Sequence, residues 1–217
     1  KKALDDFAFK EVSERIVSEY SGKLSKGIPV FSVNPSRLLS ELTICANYAF
    51  VKMAKDGHNN PVSINYLEKI AMPHLLAIFG AMLAGVDFIT MGAGIPDKIP
   101  GVIEAYATGN PATYKIPVVG EKDGYQISFN PAEFFGRSIP TLKRPGFIPI
   151  IASNVLGMAL KRAIPHGKIY GFVIEEPTAG GHNAPPRNKV DYGDKDIVDY
   201  QKIAELELPF WIAGSYA

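Results

Sequence analysis

The 217-residue sequence has a single cysteine, almost no excess of charge of either sign and no long apolar run. Its single cysteine, Cys45, permits no internal disulfide and no cysteine-built metal cage, and it fits a reducing compartment. We therefore expect a cytoplasmic protein in which Cys45 is a buried packing residue. Lys and Arg number 23 against 22 Asp and Glu, and the resulting net charge of +1 lacks the basic surplus of a nucleic-acid-binding surface. No apolar run approaches the roughly 20 residues of a membrane span, so neither nucleic acid nor membrane is an expected partner.

Several motifs that carry familiar chemistry are also missing. No cluster of His, Cys and carboxylate residues has the spacing of metal ligands, so no metal is expected. The sequence contains no G-x-S-x-G nucleophile elbow. Gly92-Ala93-Gly94 is a lone G-x-G, because Asp97 stands where a dinucleotide fingerprint needs its third glycine. We interpret it as a flexible loop at the rim of a pocket.

Apolar strands and amphipathic helices alternate along the chain. The predicted strands cover 62–67, 86–91, 147–152, 169–175 and 210–213. The predicted helices cover 6–20, 35–56, 73–85, 101–107, 154–163 and 197–206, with Asn34 and Ser153 as N-caps of the second and fifth. This alternation favours a parallel sheet covered by helices, either an open doubly wound sheet or a (β/α)8 barrel. A barrel requires eight strands, and five are readable here.

One segment interrupts the alternation. Residues 115–119 and 125–129 flank a polar, glycine-bounded turn from Gly120 to Gly124. This pattern predicts a small β-hairpin insertion at about 115–129, at the end of one strand–helix repeat.

Polar residues and glycines fall at the carboxyl ends of the predicted strands, where parallel α/β folds bind their ligands. Residues 178–183, Thr-Ala-Gly-Gly-His-Asn, follow the strand that ends at Glu175. Their paired glycines allow backbone N–H groups to approach a ligand closely. A histidine directly after them, His182, suits proton transfer near neutral pH, and the alternative is an ordinary loop with a solvated histidine.

Two further positions can each be interpreted as part of a ligand site or as purely structural. Asn65, near a strand end, is either a ligand contact or a satisfied core amide. Gly214-Ser215 either cradles a phosphate through backbone N–H groups or forms a simple turn. The remaining histidines have no partner pattern and are expected to be non-catalytic: His58, His74 and His166.

Residues 175–182, Glu-Glu-Pro-Thr-Ala-Gly-Gly-His, resemble the strand-six signature of nitronate monooxygenases, once called 2-nitropropane dioxygenases. Related flavin-type enoyl-ACP reductases have a similar run from a glutamate to Ala-Gly-Gly-His. Other blocks agree in order. Residues 64–67 resemble the family's strand-three asparagine segment, 85–96 its fourth strand, and 210–216 the seventh strand with its glycine-rich phosphate loop. The resemblance covers most of residues 5–217.

The resemblance implies an FMN-binding TIM barrel and assigns roles to individual residues. Those that would contact the flavin are Asn65, Glu175, Gly180 and Gly181. Those that would approach its phosphate are Ala213, Gly214 and Ser215. His182 would be the catalytic base or would orient the substrate. The chain departs from the family at Glu176, where relatives usually have glycine.

The expected fold is therefore α/β, a TIM (β/α)8 barrel that these residues contain only in part. We expect a single FMN-binding barrel domain over residues 1–217, carrying the hairpin insertion. The family's first two strands and its eighth strand have no counterpart in this sequence. We therefore expect the 217 residues to belong to a longer polypeptide.

The implied activity is FMN-dependent oxidation of alkyl nitronates by molecular oxygen. One alternative is an NAD(P)H-dependent enoyl-thioester reductase in the same fold, and another is a flavin-binding barrel without catalysis. The expected partner is a small-molecule substrate, a nitronate or an enoyl thioester. A homodimer remains open.

Overall fold

The computed structural model of the protein describes residues 2–21, 29–180, 193 and 197–214. These residues group into two compact units. The first unit takes its described residues from Lys1–Ile64, Ile70–Asp87 and Gly101–Pro145, and the second from Asn65–Lys69, Phe88–Pro100 and Gly146–Ala217. The expectation of a single barrel domain stays a prediction.

Helices and strands alternate through both units. A 3-10 helix at Lys2–Leu4 comes first. The α-helices of the described residues are α1 (Lys10–Tyr20), α2 (Arg37–Ala54), α3 (His74–Leu83), α4 (Ile99–Ala107), α5 (Pro131–Phe135), α6 (Asn154–Ala163) and α7 (Tyr200–Ala204). The strands are β1 (Ser63–Leu67), β2 (Phe88–Gly92), β3 (Ala112–Val118), β4 (Glu121–Phe129), β5 (Gly146–Ile151), β6 (Phe172–Glu175) and β7 (Phe210–Ala213).

Five strands form one sheet in the order β1-β2-β5-β6-β7. The pairs β2–β5, β5–β6 and β6–β7 are parallel, which confirms the predicted mixed α/β fold with a mostly parallel five-stranded sheet. The strand order follows the chain without reversal, whereas a doubly wound sheet reverses its order at a switch point. Within the described part of the chain the sheet does not close into a barrel, and β1 and β7 are its outer strands.

The sheet buries one face and leaves room on the other, because successive residues of a strand point to opposite faces. Side chains that are 0% exposed on the buried face are Ile89, Met91, Phe147, Ile151, Phe172 and Ile174. Helix α6 packs on this face, since a Cβ added at Gly157 would lie 3.0 Å from Ile151 Cδ1. The opposite face, with Thr90, Ile150 and Val173, is half-buried.

N-cap residues mark where two of the helices begin. Ser153 caps α6 as predicted, and its Oγ accepts a hydrogen bond from the Leu156 N–H at 3.2 Å. Helix α2 is capped by Ser36, whose Oγ accepts from the Leu39 N–H at 3.3 Å, so the predicted cap at Asn34 is wrong. The extended backbone of Ser36, with ψ 154°, brings its hydroxyl to the first unpaired N–H groups of the helix.

Helix α1 begins at Lys10, later than the predicted start near Asp6. Phe7 and Phe9 are each 1% exposed, and the Phe9 ring stacks on Phe135 with the ring centroids 3.7 Å apart. Burial of these two rings in the first unit therefore sets the backbone path before Lys10, at the expense of one more helical turn.

Strands β3 and β4 form an antiparallel hairpin in the first unit. Val118 pairs with Glu121, so the turn consists of Val119 and Gly120 alone, and the predicted five-residue turn at 120–124 is wrong. Gly120, the second of the two turn residues, has φ +86°, and a positive φ at this position is typical of a type II turn, where glycine is favoured.

Helices α2 and α3 of the first unit pack with their backbones in contact. A Cβ added at Gly80 would overlap the Ile44 carbonyl oxygen and lie 3.0 Å from its carbon. On α2, the Glu41 carboxylate is 1% exposed and accepts hydrogen bonds from Arg15 Nε at 2.8 Å and Arg37 Nε at 3.0 Å. None of the helices in the described ranges is long and apolar enough to cross a membrane.

Candidate functional site

A cavity of about 440 Å³ opens on the half-buried face of the sheet, within the second unit. Its volume lies in the range of small-molecule and cofactor sites, roughly 300–1,000 Å³. The predicted ligand residues that line it are Asn65, Glu175, Gly180, Ala213 and Gly214. The other lining residues are Thr90, Ile150, Val173, Thr178 and Ala179. The cavity therefore brings together residues from β1, β2, β5, β6, β7 and the two loops after β6 and β7.

Three predicted site residues lie outside the described residues: Gly181, His182 and Ser215. The structure thus bears on five of the flavin and phosphate positions and leaves the catalytic assignment of His182 a prediction. The loop that leads toward it is described as far as Gly180, where a Cβ would meet nothing within 4 Å.

The register of the parallel strands explains why these residues meet. Glu175 pairs with Ala213 across β6 and β7, and Ile150 pairs with Val173 across β5 and β6. Val173 and Glu175 are two apart on one strand, so both point to the same face. Each strand therefore contributes to the lining near its carboxyl end, with Asn65 on the outer strand β1 closing one side.

The lining residues that the sequence argument missed fall into two kinds. Ile150 and Val173 form an apolar floor, and nothing but the strand register distinguishes them from their buried neighbours. Thr90 and Thr178 add hydroxyl groups. A signal for Thr90 was present, because it is the one polar residue in the apolar strand Phe88–Gly92.

The described polar groups of the cavity include one ionisable side chain. Among the described lining residues Glu175 is the only ionisable one, while Asn65, Thr90 and Thr178 are neutral hydrogen-bonding groups. Beside Asn65 on β1, burial raises the pKa of the Tyr66 phenol well above its usual value, so this hydroxyl stays protonated. The described residues hold no group of three or more His, Cys, Asp or Glu that could bind a metal ion.

The loop after β6 is tied down at its first residue. The Glu176 N–H donates to the Ala213 carbonyl at 3.0 Å and so extends the pairing of β6 with β7. The Glu176 carbonyl accepts from the Ala179 N–H at 2.9 Å and closes a turn. The Glu176 side chain is buried and accepts a hydrogen bond from the Tyr200 hydroxyl at 2.6 Å.

The Gly92-Ala93-Gly94 loop was predicted to lie at the rim of a pocket, and none of its residues is in the described lining of this cavity. Instead Gly94 packs on Glu68, whose carboxylate a Cβ at this glycine would overlap. The Glu68 N–H donates to the Gly92 carbonyl at 2.8 Å. Close packing accounts for both glycines, because a Cβ added at Gly92 would lie 2.9 Å from the Ile150 Cβ.

The three histidines expected to be non-catalytic lie elsewhere in the structure. His74 is buried at the start of α3, with its ring edge-on to Tyr114 at 5.3 Å. His58 Nδ1 accepts a hydrogen bond from the Asn60 N–H at 3.1 Å in an exposed turn. His166 is exposed in the turn after α6, and none of the three lines the cavity.

No protein-family model and no curated protein matches this chain. The chemistry of the cavity must therefore be inferred from its own residues. An apolar floor with a rim of amide, hydroxyl and carboxylate groups suits a flat, polar-edged molecule better than a metal ion or a polyanion.

Proposed function

We propose that this protein is an FMN-dependent oxidoreductase of the nitronate monooxygenase type, which oxidises alkyl nitronates with molecular oxygen. One observation carries the proposal: five residues that the resemblance assigns to FMN come from three separate segments of the sequence and line a single cavity. They are Asn65, Glu175, Gly180, Ala213 and Gly214. The resemblance rests on separate blocks of the sequence and does not depend on where these blocks lie in the fold.

The proposal includes the finer fold, a (β/α)8 barrel to which the five-stranded sheet belongs. Two features support it. The strand order follows the chain, as it does in consecutive strands of a barrel. Helix α6 packs on one face, and the opposite face holds the cavity near the carboxyl ends of the strands, where barrel enzymes bind their ligands.

The described residues fit FMN. Ile150 and Val173 offer an apolar surface to a flat ring system, and Asn65, Thr90 and Thr178 offer donors and acceptors to its polar edge. The Glu175 carboxylate is an acceptor for a ring N–H or a ribityl hydroxyl of the ligand. Gly180 leaves space beside it among the described residues, none of which has an atom within 4 Å of where its Cβ would be. The phosphate would be held at Ala213 and Gly214, by the backbone beyond β7.

Each part of the chain then has a task in the reaction. FMN, when bound, supplies the redox chemistry. The sheet face and its apolar side chains orient the ligand and exclude water from one side of it. We assign to His182 the orientation of the nitronate, which has already lost its acidic proton, and the removal of that proton when the neutral nitroalkane is bound instead.

Steady-state assays of the purified full-length protein loaded with FMN test the proposal. Oxygen consumption that depends on propionate 3-nitronate supports it. NADH oxidation with an enoyl thioester, and no oxygen consumption with the nitronate, would replace it with the reductase. Bound flavin without either reaction would indicate a non-catalytic flavin-binding barrel. A protein that binds no flavin would reject all three flavin-dependent functions.

A further inference from the structure

Adjacent carboxylates at the end of β6 point to opposite sides of the sheet. Glu175 lines the cavity, whereas Glu176 is 6% exposed and accepts a hydrogen bond from the Tyr200 hydroxyl at 2.6 Å. This distance lies at the short end of the usual range for O–H···O hydrogen bonds. Glu175, which lines the cavity, is therefore followed directly in the chain by a buried residue that bonds to α7.

Tyr200 is itself held firmly in place. It begins α7 directly after the N-cap Asp199, whose Oδ1 accepts from the Gln201 N–H at 3.1 Å. The Asp199 backbone pairs with the Asn154 side chain of α6 through two hydrogen bonds of 2.7 and 3.0 Å. The Tyr200 ring stacks on Phe210 of β7 with centroids 6.3 Å apart. The hydroxyl thus reaches Glu176 from a fixed position.

We propose that Glu176 is a positioning residue for the cavity wall and that its hydrogen bond to Tyr200 holds residues 177–180 where the ligand meets them. Three of these residues, Thr178, Ala179 and Gly180, line the cavity. The Glu176 carbonyl already anchors one of them, because it accepts from the Ala179 N–H at 2.9 Å. The identity of the ligand as FMN rests on the proposed function, whereas the positioning role does not.

The substitution Tyr200→Phe removes the hydroxyl and keeps the ring, and Glu176→Gln keeps an oxygen that accepts the same bond. Tyr170→Phe is the matched control, since Tyr170 lies in the same unit and is 49% exposed. The first measurement is amide hydrogen exchange of residues 178–180 in the ligand-free full-length protein, since Pro177 has no amide hydrogen. We expect roughly tenfold faster exchange in Tyr200→Phe, as follows from the loss of one buried hydrogen bond, and little change in the other two variants.

The second measurement is FMN affinity with the visible circular dichroism of the bound flavin. Tyr200→Phe should weaken FMN binding by about tenfold and change the dichroism of the bound flavin. Glu176→Gln, which keeps the acceptor oxygen, should retain an affinity and a dichroism near those of the wild type. Unchanged exchange at 178–180 in Tyr200→Phe overturns the positioning role. Faster exchange in a protein whose wild type binds no FMN keeps the positioning role and rejects the proposed function.

Discussion

Glu175 and Ala213 lie opposite each other in the parallel pairing of β6 and β7, and both line the same cavity. The first residue belongs to the sequence block that resembles a flavin-contacting strand, and the second to the block that resembles a phosphate-binding strand. Their pairing joins the two blocks at one edge of the cavity. Changes on either strand should therefore affect the same ligand.

Enlarging Ala213 should block the cavity. Ala213→Leu places three more carbon atoms on the lining, and we expect FMN affinity to fall at least tenfold while the fold is retained. Fluorescence titration of FMN measures this affinity. Ala204→Leu, on the exposed side of α7, is the control and should bind FMN like the wild type. Equal affinity in Ala213→Leu would mean that FMN binds elsewhere.

Removal of the His182 imidazole should slow turnover and leave flavin binding intact. Loss of a positioned general base typically lowers the rate by about 10²–10⁴-fold. We expect His182→Ala to fall in this range for oxidation of the neutral nitroalkane, from which His182 would remove the proton, measured by oxygen consumption. His166→Ala, an exposed histidine of the second unit, should keep full activity. Wild-type turnover in a His182→Ala protein that still holds FMN would remove the catalytic assignment.

Two helical glycines should respond in opposite directions to the same substitution. A Cβ at Gly80 would overlap the backbone of Ile44, so we expect Gly80→Ala to lower the free energy of unfolding by about 1–3 kcal/mol. A Cβ at Gly101 of α4 would meet nothing within 4 Å, so Gly101→Ala should raise stability by about 0.5–1 kcal/mol. Urea unfolding followed by circular dichroism compares them. An unaffected Gly80→Ala would contradict the packing of α2 on α3, and a destabilised Gly101→Ala would contradict the open space beside Gly101 on α4.

Asp87 should make the first unit sensitive to acid. Partial burial alone would raise the pKa of its carboxyl group, but hydrogen bonds from Lys55, the Val62 N–H and Lys143 outweigh this and lower the pKa from 3.8 to about 2. A carboxyl group with a depressed pKa stabilises the folded state at pH values above its pKa in the unfolded chain. This stabilisation is lost as the pH falls from about 4 towards 2.

The measurement for Asp87 is the free energy of unfolding as a function of pH. Asp87→Asn should lose about 1 kcal/mol of stability at neutral pH, a figure reduced for solvent screening, and should show a shallower decline between pH 4 and 2. Asp56→Asn removes a carboxylate that is 72% exposed and should change little. Parallel curves for Asp87→Asn and the wild type would show that the Lys55 and Lys143 contacts do not stabilise the fold.

The sequence by itself determined where the strands and most helices lie. Apolar runs bounded by glycine and polar residues located all five strands of the mostly parallel sheet, and Ser153 was identified as a cap from its own chemistry. These features are local, because hydrophobic periodicity and a hydroxyl near free N–H groups depend on residues a few positions apart. The segments that supply the cavity were identified for the same reason, as they follow the strands.

Tertiary structure decided which residues meet. Ile150 and Val173 became cavity residues through the register of β5 with β6, which a one-residue shift would have reversed. The hairpin closed at Val119 and Gly120, because β3 and β4 paired as far as Val118 and Glu121. Glu176 found its partner in Tyr200, 24 residues away, and no local pattern marks that bond. Register, pairing and burial are long-range balances of packing and hydrogen bonding, and for that reason only the folded chain shows them.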